Sequence, residues 1–264
     1  MAEGLDFNER AAERLERVYS GADIVAQRAD TLRRLALRPG ERVLDIGSGP
    51  GFLAEAMAGV VGSGGRVRGI DISETLLARA SARATVPWLS YGRGDAQALD
   101  EADGAYDVVV STQVAEYLPD IDAFCGELAR VLAPGGRGLV IATDWDAVIW
   151  HSDHPARMAR ALKLWEGHCA DPRLPRHLAP RLSAAGLAVA GVSAFPLLNL
   201  RFEEGAYSQG MAGFIAGYLR REGSMRTAEI EAWAAELAAL DAAGRYFFAS
   251  QRFVFEVTKP AQPM

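Results

Sequence analysis

The chain is poor in several features that would classify it quickly. It has only two cysteines in 264 residues, Cys125 and Cys169. That is too few for a disulfide framework, and a reducing cytoplasm is the expected compartment. No apolar run approaches the roughly 20 residues of a membrane span, which argues against stable membrane insertion. The opening MAEGLDFNER lacks the basic-then-apolar pattern of a secretory leader. Basic residues are outnumbered, 28 Lys and Arg against 34 Asp and Glu, for a net charge of −6. This argues against a duplex nucleic-acid partner, whose affinity comes from clustered lysine and arginine. Histidine is scarce: His151, His154, His168 and His177 are all of it.

What is present is a globular composition. Half the residues are hydrophobic and 23% are charged, which supports a packed core over disorder. The length suits one large domain, or one with a sizeable insertion. Residues 8–38 read as two helices, with Ala11, Leu15 and Val18, then Ile24, Leu32 and Leu35, at helical spacing. Ser20-Gly21 separates them, and Arg38-Pro39-Gly40 turns the chain. Short apolar strands follow at 42–46, 66–70, 106–111 and 138–143, alternating with helices from Phe52, from Ser73 and over 121–132. That alternation predicts an α/β fold: a parallel sheet with helices on both faces. Beyond it, 155–169, 175–185, 203–221 and 227–242 read as helices, and 187–200 as a strand broken at Pro196. The aromatic and β-branched run 246–258 reads as an edge strand or hairpin arm.

The informative stretch is Val43-Leu44-Asp45-Ile46-Gly47-Ser48-Gly49-Pro50-Gly51, an acid and alternating glycines at a strand-to-helix switch. Glycine there permits positive φ and close approach of a ligand, at the edge where open α/β sheets bind ligands. A pyrophosphate is the wrong ligand. The third glycine of the dinucleotide fingerprint is replaced by Phe52, and Pro50 removes an N–H donor. Asp45 would repel phosphate and suits a cation. An acid beside an open glycine turn fits the amino-acid end of S-adenosylmethionine, with its ammonium and sulfonium. Asp71, twenty residues after Gly51, can take ribose hydroxyls. Asp95, in Gly94-Asp95-Ala96, can accept from an adenine amino group.

Residues 40–143 resemble the core of a class I S-adenosylmethionine-dependent methyltransferase, in the small-molecule group related to the ubiquinone/menaquinone-biosynthesis C-methyltransferases. The matching stretches are VLDIGSGPG at 43–51, GIDIS at 69–73, GDAQALD at 94–100, YDVVVSTQVAEYLPD at 106–120 and ELARVLAPGGRGLV at 127–140. The resemblance implies a seven-stranded Rossmann-like sheet, mostly parallel with a C-terminal antiparallel strand. It implies a layout of N-terminal cap helices (1–38), cofactor core (40–143) and an acceptor-side half (144–264) with inserted cap helices at about 203–242. It also implies roles. Gly47, Ser48, Gly49 and Gly51 would pass the methionine moiety, with Asp45 holding the ammonium. Asp71 would hold the ribose, with Ile72 against the adenine and Asp95 and Ala96 at its edge. Ser111, Thr112 and Gln113 would lie near the methionine end or the methyl group, and Tyr19 and Arg28 would cover the cofactor and bind its carboxylate. Relatives commonly read Glu-His where this chain has Glu116-Tyr117, so a histidine from that place is absent.

The acceptor is expected in the segment after the fifth strand. His151, then His154, are the candidate general bases, and Asp144 could orient the acceptor. His168 and His177 read as surface or helix-end residues. The aromatics Trp145, Trp150, Trp165, Phe195, Tyr207, Phe214 and Tyr218 would either line an apolar pocket or pack the cap. The histidine spacing matches no zinc pattern, and no metal is expected. The expectation is methyl transfer to a small molecule, with S-adenosylhomocysteine as the second product, by a monomer or homodimer. A partly apolar acceptor, such as a prenylated ring or natural product, is the first expectation, and a small amine or carboxylate is the alternative. A nicotinamide-dependent oxidoreductase and a non-catalytic cofactor-binding module stand as readings from other classes.

Overall fold

In the computed structural model, which describes residues 8–261, the chain opens with helices α1 (Glu9–Tyr19) and α2 (Ala22–Leu35). Most of the segment read for a leader, residues 1–7, lies outside the described residues. The Asn8 side chain caps α1 by accepting from the Ala11 N–H at 3.1 Å. The alternation then follows: β1 (Arg42–Ile46), α3 (Phe52–Val61), β2 (Arg66–Asp71), α4 (Glu74–Arg83), β3 (Leu89–Arg93), β4 (Tyr106–Thr112), α5 (Ile121–Val131) and β5 (Leu132–Thr143). Ser73 caps α4 through the Leu76 N–H. The remaining elements are β6 (Ile149–Trp150), α6 (Pro155–Trp165), α7 (Leu178–Ala184), β7 (Ala188–Asn199), α8 (Tyr207–Glu222), α9 (Thr227–Ala242) and β8 (Phe248–Thr258).

The strands form one sheet in the order β3-β2-β1-β4-β5-β8-β6, with β7 also paired to β8. The strands β1 to β5 run parallel, and β8 is antiparallel to β5, β6 and β7. Successive side chains point to opposite faces. Val43, Val108, Val110 and Val254 therefore pack with Leu35, Met57 and Val61 of α2 and α3. Leu44, Ile46, Val109 and Phe255 pack on the other face with Phe124, Leu128, Leu178 and Leu182 of α5 and α7. A second apolar core stands beyond the carboxyl edge of the parallel strands. It joins Val18 of α1 to Trp165, Ile215, Leu219, Trp233 and Leu237 of α6, α8 and α9. The cap thus draws on α1 and α6 as well as on helices within 203–242. No helix among the described residues is long and apolar enough to cross a membrane.

Three expectations need correction. The sheet has eight strands, because two-residue β6 is too short to leave a period in the sequence. The 246–258 run is not an edge: β8 is flanked by β5 and β7 and carries buried residues on both faces, which is why it is rich in aromatics. The edge strand is β7, and it runs straight through Pro196, paired with Gln251. An edge tolerates a residue with no N–H to donate; the irregularity in β7 lies at Val189–Gly191 instead.

Phe255, 1% exposed, is a large side chain joining β8 to the α5–α7 face. Phe255→Ala is expected to cost about 3–5 kcal/mol. Urea unfolding checks this as a lower midpoint at unchanged slope; a loss of under about 1 kcal/mol would mean the face collapses around the gap.

Candidate active site

The chain leaves β1 at Ile46 and turns through three glycines with positive φ: Gly47 at +73°, Gly49 at +54° and Gly51 at +85°. Each resists a side chain for its own reason. A Cβ on Gly47 would lie 2.1 Å from Val114, and one on Gly51 2.5 Å from the Tyr91 hydroxyl. One on Gly49 would meet the Tyr19 ring in ordinary contact, at 4.0 Å, so there the positive φ alone disfavours a side chain; Gly47 and Ser48 are the turn residues that line the cavity. The Gly47 and Ser48 N–H groups donate to the Ile70 carbonyl at 2.8 and 2.9 Å. The Gly49 N–H donates to the Asp71 carboxylate at 2.8 Å, and Asp71 also accepts from the Ser73 N–H at 2.9 Å.

Beneath this turn, the Asp45 carboxylate is buried and neither oxygen has a hydrogen-bond partner among the described residues. Burial, with the Asp71 charge adding to it, pushes its pKa up to about 7. The Ser48 hydroxyl is likewise buried and unpartnered. Buried polar groups are nearly always paired, and orphaned ones need an explanation. Here both line a cavity walled by Tyr19, Gln27 and Arg28 from the N-terminal helices. An orphaned carboxylate beside an open glycine turn fits a ligand carrying an ammonium group.

The other residues expected at this site divide. Tyr19 and Arg28 line the cavity; Arg28 donates to the Tyr19 carbonyl at 3.3 Å and stands 5.3 Å from the Phe52 ring. Ile72 is 61% exposed, directly after Asp71. Asp95 is exposed and accepts from the Gln97 N–H at 2.9 Å, while Ala96 is buried. Gln113 lines the cavity with φ +58°. Ser111 does not: its hydroxyl donates to the Ile46 carbonyl at 3.0 Å and ties β4 to β1, and Thr112 lines the cavity in its stead.

The residues expected on the acceptor side are not gathered here. His151 is exposed, its N–H on the Phe247 carbonyl at 2.9 Å, and His154 is exposed at the start of α6. Register explains the displacement. Arg252 of β8 pairs with Thr143 at the end of β5, whereas Trp150 pairs with Phe248, so β6 carries His151 past the sheet edge. Asp144 is buried and already engaged, accepting from Arg176 at 2.6 and 3.2 Å. The aromatics Trp145, Trp150, Trp165, Tyr207 and Tyr218 pack in the cap core. Among the described residues, no group of three or more His, Cys, Asp or Glu side chains could hold a metal ion.

His168 corrects its surface reading. It is buried and stacked on Trp165, ring centroids 3.6 Å apart. Its Nδ1 lies 2.5 Å from the Trp165 carbonyl, which can only accept, so Nδ1 carries the proton. The bare Nε2 then faces the Tyr117 hydroxyl at 3.5 Å. Burial pushes its pKa down to about 3, so the ring is neutral. A histidine does reach the Glu116-Tyr117 corner, but from a segment fifty residues downstream.

Two groups escaped the sequence reading. Arg252 is 4% exposed and lines the cavity. Its Nε donates to Gln27 at 3.2 Å and its Nη1 to the side chains of Gln113 and Thr143. The signal was an arginine on the same strand face as Phe248, Ser250 and Val254. Glu116 is fully buried; one oxygen accepts from the Thr143 N–H at 3.2 Å and the other has no partner. Burial pushes its pKa up to about 7.

Comparison with known proteins agrees with this geometry. Residues 44–140 match the methyltransferase domain family. A 2-phytyl-1,4-naphtoquinone methyltransferase of Synechococcus elongatus is 39% identical over 110 residues, 40% of this chain and 47% of the relative. A nocamycin O-methyltransferase of Saccharothrix syringae is 35% identical over 133 residues, 47% of each chain. The aligned part spans about a third to a half of the curated relatives it matches. Among solved structures, the phosphoethanolamine N-methyltransferase 2 of Haemonchus contortus with S-adenosylmethionine superposes at a TM-score of 0.63 and 18% identity, over 96% of this chain and 58% of that one. Residues 44–140 thus carry a methyltransferase domain, similar to those of the quinone methyltransferases.

Proposed function

We propose that the protein transfers a methyl group from S-adenosylmethionine to a small-molecule acceptor. The observation that carries this is the unpartnered Asp45 carboxylate lining the cavity beside Gly47 and Ser48. Asp45 would face the ammonium, Arg28 with Tyr19 the carboxylate, and Asp71 the ribose. When bound, the cofactor supplies an electrophilic methyl group on a sulfonium. The chain's own contribution is alignment and exclusion of water. The α1–α2 hairpin roofs the glycine turn through Tyr19, and the cap core shields the acceptor side.

Of the two acceptor classes, the side chains here favour the polar one. Gln113, Thr143, Arg252 and Glu116 meet at the junction of β4, β5 and β8, a polar corner in which one Glu116 oxygen has no partner and a wholly apolar ring would supply none. Incubating the protein with methyl-labelled S-adenosylmethionine and a cell extract tests the reading. Label in a small aqueous product is expected. Label only in the organic phase restores the apolar acceptor, and no transfer at all leaves a binding module.

Asp71→Ala should weaken S-adenosylhomocysteine binding by about 1.5–3 kcal/mol, roughly ten- to a hundredfold, since a charged acceptor is lost. Calorimetry that finds wild-type affinity would remove Asp71 from the ribose site. Asp45 gives a pH signature. Free, it titrates near 7; a bound ammonium favours its ionised form and lowers that value. Affinity should therefore rise with pH up to about 7 and level off above it, by at most about tenfold per pH unit. Asp45→Asn should flatten this rise, and an unchanged slope in the variant would exclude Asp45 as its source.

A further inference from the structure

Arg252 is a buried cation with no full counter-charge beside it. Among the described residues, no carboxylate lies within ion-pair distance of it, whereas Arg34, Arg42 and Arg137 each hold one. It is held by neutral oxygens only, those of Gln27, Gln113 and Thr143, and its guanidinium stands 4.8 Å over the Tyr207 ring. Burying a charge without a counter-charge is costly, so such a group points to a missing partner. Glu116 does not serve: one of its oxygens is on the Thr143 N–H, and burial favours its protonated form near neutrality.

Position decides which ligand group the partner belongs to. Along the sheet edge the order is β2, β1, β4, β5, β8. Asp71 ends β2 and the glycine turn follows β1. Gln113 follows β4, Thr143 ends β5, and Arg252 stands beside Thr143 on β8. The guanidinium is therefore three strands beyond the glycine turn, on the side away from Asp71. Arg28, on α2, is the cation left for an amino-acid carboxylate.

We propose that Arg252 is the anion anchor of the acceptor, which enters bearing a carboxylate or another anionic oxygen and pairs with this guanidinium. The assignment rests on the methyl-transfer reading of the cavity. It selects within the polar class: an acid is favoured, and a cationic amine is repelled.

The test uses the whole protein saturated with S-adenosylhomocysteine, and two small probes of nearly one shape, benzoate and neutral benzamide. Calorimetry should find benzoate roughly tenfold tighter, the scale of one charge-assisted pair. Arg252→Gln should abolish the preference and Arg252→Lys should keep part of it. S-adenosylhomocysteine affinity is measured for all three proteins, so that the probes are compared at saturation in each. Equal affinities for the two probes, no binding of benzoate, or a preference that survives Arg252→Gln would overturn the proposal. So would a loss of S-adenosylhomocysteine affinity in Arg252→Gln that Arg252→Lys restores, because the guanidinium would then serve the cofactor. If wild-type protein fails to bind S-adenosylhomocysteine, the methyl-transfer reading fails; the probe comparison on the free protein still tests the arginine separately.

Discussion

The Asp71 carboxylate accepts from the Gly49 and Ser73 N–H groups and so locks two successive strand-to-helix turns to each other. Gly49 can give its N–H to Asp71 only because the turn runs through positive φ, a conformation that glycine adopts without the steric cost of a Cβ. The same bonds leave Asp45 beneath the turn with no donor of its own. One constraint thus yields both a rigid turn and an unpaired charge site. The sheet supplies the platform, since the parallel register of β1 with β2 and β4 brings Asp71, the turn and Gln113 to a single edge.

The molecule divides its apolar surface between two tasks. One set of side chains sandwiches the sheet between helices, and another builds the cap from α1, α6, α8 and α9. The polar groups that neither core absorbs collect along the seam: Gln27, Glu116, Thr143 and Arg252 are all buried there. A seam between two apolar cores excludes water while keeping a few unsatisfied groups, and that combination makes electrostatic recognition strong.

The first half of the site was legible in the sequence because it is local. Asp45, the three glycines and Asp71 lie within 27 residues, and turn chemistry fixes their relation. The parallel alternation was plain apart from β3 and the two-residue β6, neither of which was read as a strand from the residues. The rest of the cavity depends on contacts of long range. Arg252 meets Gln27 across a separation of 225 residues and Gln113 across 139. Proximity in sequence misled for His151, because β6 follows β8 past the sheet edge, and for Asp144, because Arg176 takes it up. Ser111 failed for a simpler reason: strand alternation turns it to β1 and gives the cavity to Thr112. His168 looked like a helix end, and the stacking that buries it on Trp165 has no sequence period to announce it.

The union of Gln27 with Arg252 also orders events during synthesis. The helix that roofs the turn leaves the ribosome before the platform does, and the strand that seats it leaves after the platform. The β1–β5 platform can assemble from neighbouring segments while translation continues, because its pairings are comparatively short in sequence. The cavity between roof and seam has no such option. It closes only once β8 has inserted between β5 and β7, so a nascent chain can hold a well-formed platform long before it has a chamber.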